Sequence, residues 1–165
     1  MASSGITAPL EAPPQIVLPE WIDGNGHMNV AYYSLVFDRA LDSFFDTIGI
    51  GWDYTKAGAG SSFVLEAHVS FLKEVKKGDP LRVTFQLLEH DDKRIHYFEE
   101  MYHATEGFLA ATSEQIAIHI DMKTRRSSEF PAQVRETLGN IAKAHAHLPV
   151  PSRVGRVIRI AKSTS

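Results

Sequence analysis

The chain has 165 residues, 44% of them hydrophobic and 22% charged, and a formal net charge of −3. That length suits one domain with its own core, and the faintly acidic balance gives no reason to expect nucleic acid or an anionic membrane as partner. Cysteine is absent, which excludes disulfides, thiolate catalysis and thiolate metal sites.

Residues 1–14 are small, polar and Pro-rich and read as a disordered N-terminal arm; residues 15–165 read as a single domain including a C-terminal helix and tail. The opening MASSGITAPLEA lacks the basic start and apolar run of a signal peptide. No window approaches the roughly 20 apolar residues of a membrane span, so a cytoplasmic protein is expected. Gln15 to Leu18 is a short apolar run before Pro19, suited to an edge strand. A glycine-broken polar loop, Trp21-Ile-Asp-Gly-Asn-Gly-His-Met-Asn29, comes next. It runs into a helical pattern in which Tyr33, Phe37, Ala40, Leu41, Phe44, Phe45 and Ile48 share one face. Asn29 is a good N-cap and Gly49 a good left-handed C-cap, giving a helix of ~28 Å. The glycine-rich segment from Gly49 to Ser62, with Trp52 and Tyr54, reads as a connection folded over a pocket mouth.

From Ser62 the period becomes two. Phe63, Leu65, Ala67, Val69 and Phe71 form one apolar strand face, opposite Glu66 and His68. Gly78-Asp79-Pro80 turns the chain into a second strand with Leu81, Val83, Phe85 and Leu87 on one side. A third runs from Arg94 to Ala104, and a fourth from Phe108 to Asp121 carries Ile116, Ile118 and Ile120 on one face. Four such strands on short turns predict an antiparallel meander packed on the long helix, an α+β arrangement. Pro131 opens a second helix, whose narrow stripe of Val134, Leu138, Ile141 and Leu148 suits the surface or a neighbouring subunit. Val154, Val157, Ile158 and Ile160 in the tail suggest a further edge strand.

Asp23-Gly-Asn-Gly-His-Met-Asn29, followed by Tyr33 and Phe37, resembles the Asp-x-x-Gly-His-(Met/Val)-Asn-Asn-x-x-Tyr signature of hotdog-fold acyl-CoA thioesterases. Within them it is most similar to the 4-hydroxybenzoyl-CoA thioesterase-like branch, and more narrowly to the betainyl-CoA thioesterases of carnitine and betaine breakdown. Val30 stands where the signature has its second Asn. The resemblance implies the hotdog fold, an antiparallel sheet wrapped around one long central α-helix. It also implies hydrolysis of a short acyl-CoA, with coenzyme A as part of the substrate and no separate cofactor.

Thioester hydrolysis needs a group to attack the carbonyl, or to activate water, and donors to hold the oxyanion. The resemblance gives the first role to Asp23, as nucleophile or general base. Backbone N–H groups around Gly26, His27 and Met28, at the helix start, are expected to serve as oxyanion donors. The His27 side chain suits either polarising the carbonyl or bracing the loop. Asn29, Trp21, Tyr32, Tyr33, Trp52 and Tyr54 are candidates for the acyl site. An aromatic box of this kind attracts a quaternary ammonium by about 2 kcal/mol or more when dry, and would equally stack an aromatic acyl group.

The resemblance places basic residues for coenzyme A phosphates at Lys93 and Arg94; Arg125 and Arg126 are a second pair. Glu66 and His68, on the strand face away from the helix, suit a solvated or interface role better than catalysis. No metal-binding spacing is present among the eight histidines. Self-association as a homodimer or homotetramer is expected from the sheet edges such a fold exposes. Two rival activities follow from the same fold: an enoyl-CoA hydratase or dehydratase, and a non-catalytic acyl-CoA-binding module. Against the hydratase, Gly26 replaces the Pro of its Asp-x-Asn-Pro-x-His pattern, and His27 falls one residue closer to the acid.

Overall fold

A computed structural model of the protein describes residues 6–160. Its centre is helix α1 (Val30–Ile48). Asn29 starts it, with an extended backbone and a side chain that accepts from the Ala31 amide; Gly49 ends it in the left-handed region at φ 84°. Both are the predicted caps. Every residue of the predicted stripe is buried, and Val36 joins it.

An antiparallel sheet curves around this helix. Its strands are β1 (Leu10–Glu11), β2 (Gln15–Ile16), β3 (Ser61–Phe71), β4 (Pro80–His90), β5 (Arg94–His103), β6 (Leu109–Asp121) and β7 (Arg126–Ser127). The order is β1-β4-β5-β6-β3, with β2 also on β4 and β7 also on β6. Strands β4 to β6 form the expected meander, but β3 does not pair with β4; it lies beyond β6, antiparallel to it. The connection 72–79 makes that crossing possible because it is anchored. Val75 is fully buried and its carbonyl accepts from the Met28 amide at 2.9 Å.

Two apolar clusters divide the core along α1. Tyr33, Val36, Phe37 and Ala40 pack with Val17, Trp21, Met28, Val75 and Met101 at its start. Leu41, Phe44, Phe45 and Ile48 pack with Phe85, Tyr97, Phe130 and Leu138 at its end. Phe85 stacks between Phe44, at 3.8 Å, and Tyr97, at 4.8 Å.

Several expectations are corrected. The arm is held from residue 10, where Leu10–Glu11 pairs with Phe85 and Thr84 and Leu10 packs on the core; residues 1–5 lie outside the described residues. The strand expected over 15–18 is only Gln15–Ile16, and Pro19–Trp21 is a 3-10 turn. In β3 the register shifts between Val64 and Glu66, so Leu65 is left over as a bulge and 58% exposed. The shift turns Val64, Ala67 and Val69 together toward α1, where they line one cavity with Phe37. On β6 the face toward α1 carries Ala111, Ser113, Gln115, Ala117 and His119, all buried, and the isoleucine face looks the other way.

The connection after α1 contains a short helix, α2 (Trp52–Lys56). The last helix, α3 (Ala132–His145), is not a surface element: Val134, Leu138 and Ile141 are buried in this chain's own core. Its His145 is buried too and accepts at Nδ1 from the Leu87 amide at 2.9 Å. The described part of the tail adds no strand. Gly155 N–H donates to Glu114 at 2.7 Å, and Val157, Ile158 and Ile160 stay exposed.

Candidate active site

The loop before α1 is closed by its own backbone. Asp23 and His27 are joined by the Asp23 amide donating to the His27 carbonyl at 3.1 Å, and Ile22 bridges Met28. Gly26 turns the chain at φ 79°, a value that suits glycine. The Asp23 carboxylate accepts from the Asn25 amide at 2.8 Å and from Asn29 Nδ2 at 3.2 Å. The Asn25 amide above all, helped by the Asn29 side chain, holds its pKa below the ordinary 3.8 against an opposing desolvation. The loop therefore presents an ionised carboxylate beside the positive end of a helix.

The donors expected around it are not all free. Gly26 N–H is spent on the Asp23 carbonyl and Met28 N–H on the Val75 carbonyl. Among the described residues the amides of His27 and Val30 have no acceptor, and Val30 is the first residue of α1. The His27 ring bonds the Met28 carbonyl through Nδ1 at 3.1 Å, the bracing contact of the two expected. His27, Met28, Val30, Tyr33 and Phe71 line a cavity of about 220 Å³. Asp23 does not line that cavity.

The aromatic candidates do not converge within one chain. Trp21 is 3% exposed, stacked on Tyr32 at 5.5 Å and covered by the Arg39 guanidinium at 5.3 Å. Tyr33 is buried edge-on against Phe71. Trp52 and Tyr54 sit on α2, past the far end of α1; Trp52 is 58% exposed, and Tyr54 hydroxyl bonds His119 Nε2 at 3.0 Å. Burial lowers the pKa of His119, so its ring is the neutral partner of that bond.

The basic candidates gather at the same far end. Lys93 precedes β5, Arg94 begins it opposite Ile118, and Arg125 and Arg126 follow β6. Arg94 is clamped on Asp91 through Nε at 2.8 Å and NH2 at 2.5 Å, which drives the Asp91 pKa down to about 2. Arg125, at φ 59°, lies 5.3 Å over the Phe63 ring, and Arg126 pairs with Asp121 in β7. Glu66 and His68 line a cavity on the outer face of the sheet with His96 and Glu114.

Sequence reasoning missed a polar band between the two apolar clusters. Glu99, Ser113 and Gln115 are buried on the inner sheet face. Gln115 Nε2 donates to Glu99 at 3.0 Å and to Ser113 at 2.9 Å, and its oxygen accepts from Tyr97 hydroxyl at 3.1 Å. The signal was available: Ile95, Tyr97, Glu99 and Met101 alternate along one strand, with a carboxyl at an apolar position.

A curved antiparallel sheet around one long buried helix is the hotdog arrangement of the thioesterases. The chain belongs to the thioesterase-like superfamily, whose family model matches residues 17–138. The betainyl-CoA thioesterase of Pseudomonas aeruginosa is 44% identical over 142 residues, 86% of this chain and 89% of that protein. An L-carnitine dehydrogenase/betainyl-CoA thioesterase of Rhizobium meliloti is 40% identical over 136 residues, 82% of this chain but 27% of that protein. A Staphylococcus aureus hypothetical protein solved in complex with CoA superposes with a TM-score of 0.86 and 30% identity, covering 96% of this chain and all of that one. No helix among the described residues is long and apolar enough to cross a membrane.

Proposed function

We propose that the protein hydrolyses a short acyl-CoA in the cytoplasm, with betainyl-CoA as the substrate its curated relatives point to and Asp23 as the group that acts on the thioester. The observation carrying this reading is the Asp23 carboxylate, held ionised by Asn25 and Asn29 beside the start of α1. It attacks the carbonyl carbon to give a mixed anhydride, or takes a proton from the water that attacks. In both routes charge builds on the carbonyl oxygen, where the unspent Val30 and His27 amides and the helix dipole stabilise it. Collapse of the tetrahedral adduct breaks the C–S bond and coenzyme A leaves as a thiolate, protonated from solvent. In the first route this leaves the anhydride, which water then hydrolyses to the acid and free Asp23; in the second it leaves the acid directly. Water supplies OH to the acid and H to the thiol, so no cofactor is consumed.

The complete site is a property of a dimer in this reading. Strand β3 pairs only with β6 among the described residues, and its other edge exposes Phe63, Val64, Leu65 and Phe71. Two copies joined antiparallel through that edge lay the start of one α1 beside the end of the other. Such pairing brings the Trp52 and Arg125 ends of one copy to the Asp23 end of its partner. It thereby supplies the wall that Asp23 lacks in a single chain. Coenzyme A phosphates then meet Lys93, Arg125 and Arg126, with Arg94 already engaged by Asp91.

The test is thiol release, read with a chromogenic disulfide, from a panel of acyl-CoAs by wild type and Asp23→Asn. Release by the wild type and its loss in the variant is the expected result. Loss of enoyl absorbance without thiol release would make the protein a hydratase. Tight binding without turnover would make it a binding module. Single-turnover hydrolysis in heavy-oxygen water separates the two Asp23 routes: label enters the protein only through an anhydride.

A further inference from the structure

The chain after α3 crosses the outer face of the sheet in a direction that the strand register defines. Gln86 on β4, Phe98 on β5, Glu114 on β6 and His68 on β3 stand side by side in one row. Gln86 Nε2 donates to the Pro149 carbonyl at 3.2 Å, and the Gly155 amide donates to Glu114 at 2.7 Å. Between these two anchors the chain passes above Phe98, which is 2% exposed. It therefore travels along the row from β4 to β6. The next position on its line is β3, the end strand of the sheet, whose far edge is open. Residues 156–160 continue past the last anchor, and there Val157, Ile158 and Ile160 are 72%, 85% and 95% exposed.

We infer that residues 156–160 of one copy lie across the joined β3 edges on the outer sheet face of a second copy, where Arg156 and Arg159 meet Glu66. The inference rests on the β3-edge dimer of the proposed function and gives that dimer a second, reciprocal contact. Reach allows it. Neighbouring strands lie about 4.8 Å apart, so the second copy's β3 is roughly 10 Å beyond β6. Residues 156–160 extend over roughly 17 Å, enough to pass the edge and settle on the other copy. There the three exposed aliphatic side chains leave water, as an apolar run at an interface does.

Charge favours the same placement. Glu66 stands at the midpoint of β3 (Ser61–Phe71), so two whole strands paired antiparallel bring both Glu66 side chains toward the dyad on the outer face. Like charges gathered there oppose the pairing. Among the described residues Glu66 has no ion pair in its own chain, and neither has Arg156 or Arg159. With Glu89 and Glu114, Glu66 lines an outer-face cavity of about 420 Å³ in which Arg156 is the one lysine or arginine. Arginines from both tails, laid over the dyad, offset the two acids where a single copy leaves them unopposed.

The chain has no cysteine, so introduced cysteines report proximity without background. Two full-length copies are co-expressed, one with Ile158→Cys and a size tag, the other with His68→Cys, and treated with a short bis-maleimide. A covalent band of one tagged and one untagged copy is expected, and none when the tail cysteine is replaced by Glu136→Cys, on an exposed position of α3. Sedimentation at low salt gives an independent reading. Arg156→Glu with Arg159→Glu should raise the dimer dissociation constant at least about tenfold, and adding Glu66→Arg should recover most of that loss. No mixed band from a wild type that sediments as a dimer overturns the tail contact and leaves the β3 dimer standing. A dissociation constant within about twofold of wild type after the double reversal does the same. A monomeric wild type overturns the dimer and the tail contact together, while thiol release decides the hydrolase reading separately.

Discussion

One side-chain amide couples Asp23 to the first turn of α1: Asn29 donates from Nδ2 to the Asp23 carboxylate at 3.2 Å and accepts at Oδ1 from Ala31 N–H at 3.0 Å. The two ends of that amide can be separated by mutation. Asn29→Asp keeps an N-cap of equal quality but sets a second carboxylate against Asp23. Asn29→Ala removes both contacts. The Ala variant should lose about 1 kcal/mol of stability, while the Asp variant keeps its melting temperature. Both should lose at least about tenfold in kcat/KM for thioester hydrolysis. Loss of activity confined to the unstable variant would show that Asn29 serves only the helix.

The pH profile follows from the same contacts. The active form of Asp23 is the carboxylate, and its pKa lies below 3.8 because the Asn25 amide and the Asn29 side chain stabilise the charge. Protonation therefore begins only below the ordinary carboxylate range, and the acid limb of kcat/KM should lie under it. Replacing the Asn29 donor by a carboxylate raises the Asp23 pKa, so in Asn29→Asp the limb should move upward. Stopped assays from about pH 4 to 7 on the two proteins read this shift directly.

Much of this was visible in the chain before any coordinates. The stripe of α1 and both of its caps were legible because they are local: a period, an Asn and a Gly fix them. The placement of β3 beyond β6 was not, since alternation defines a strand but not its neighbour. Leu65 shows the same limit at one residue, where a bulge puts Val64 in its place on the face of Ala67 and Val69 without altering the pattern of letters. Asp23 was found through the motif around it. The polar band was missed because Glu99 lies opposite Ser113 on another strand, a relation that only pairing creates.

The placement of α2 depends on a close approach at Gly60. A Cβ there would meet His119 Nε2 at 2.6 Å and Tyr54 hydroxyl at 2.7 Å, the two atoms that bond each other. Gly60→Ala must push the pair apart or shift the strand. A loss of about 1–3 kcal/mol is expected in denaturant unfolding. Tyr54→Phe, which removes the bond without the clash, should lose about 1 kcal/mol. Equal losses would assign the whole effect to the bond.

The proposed dimer can be broken at the bulge. Leu65 is 58% exposed, stands outside the β3–β6 register and buries nothing in its own chain's core. Leu65→Lys should leave the monomer fold intact, since a charge on an edge strand is a common device against pairing. Sedimentation velocity should show a dimer or larger for the wild type and a shift toward monomer for the variant. Thiol release should fall in parallel, because the partner supplies part of the site. A wild type that sediments as a monomer and is fully active would overturn the shared-site reading.

Glu99 should leave a mark on the pH dependence of stability. Burial raises its pKa well above 4.5, so the folded protein keeps the proton while the unfolded chain releases it once pH exceeds the ordinary value. Folding then takes up a proton, and stability falls as pH rises by about 1.4 kcal/mol per unit until the folded-state pKa is reached. Glu99→Gln accepts from Gln115 in the same place and has nothing to ionise. Its melting temperature relative to wild type should therefore climb as pH rises above the ordinary carboxylate range. Parallel melting curves as pH rises would mean that Glu99 is already ionised in the fold.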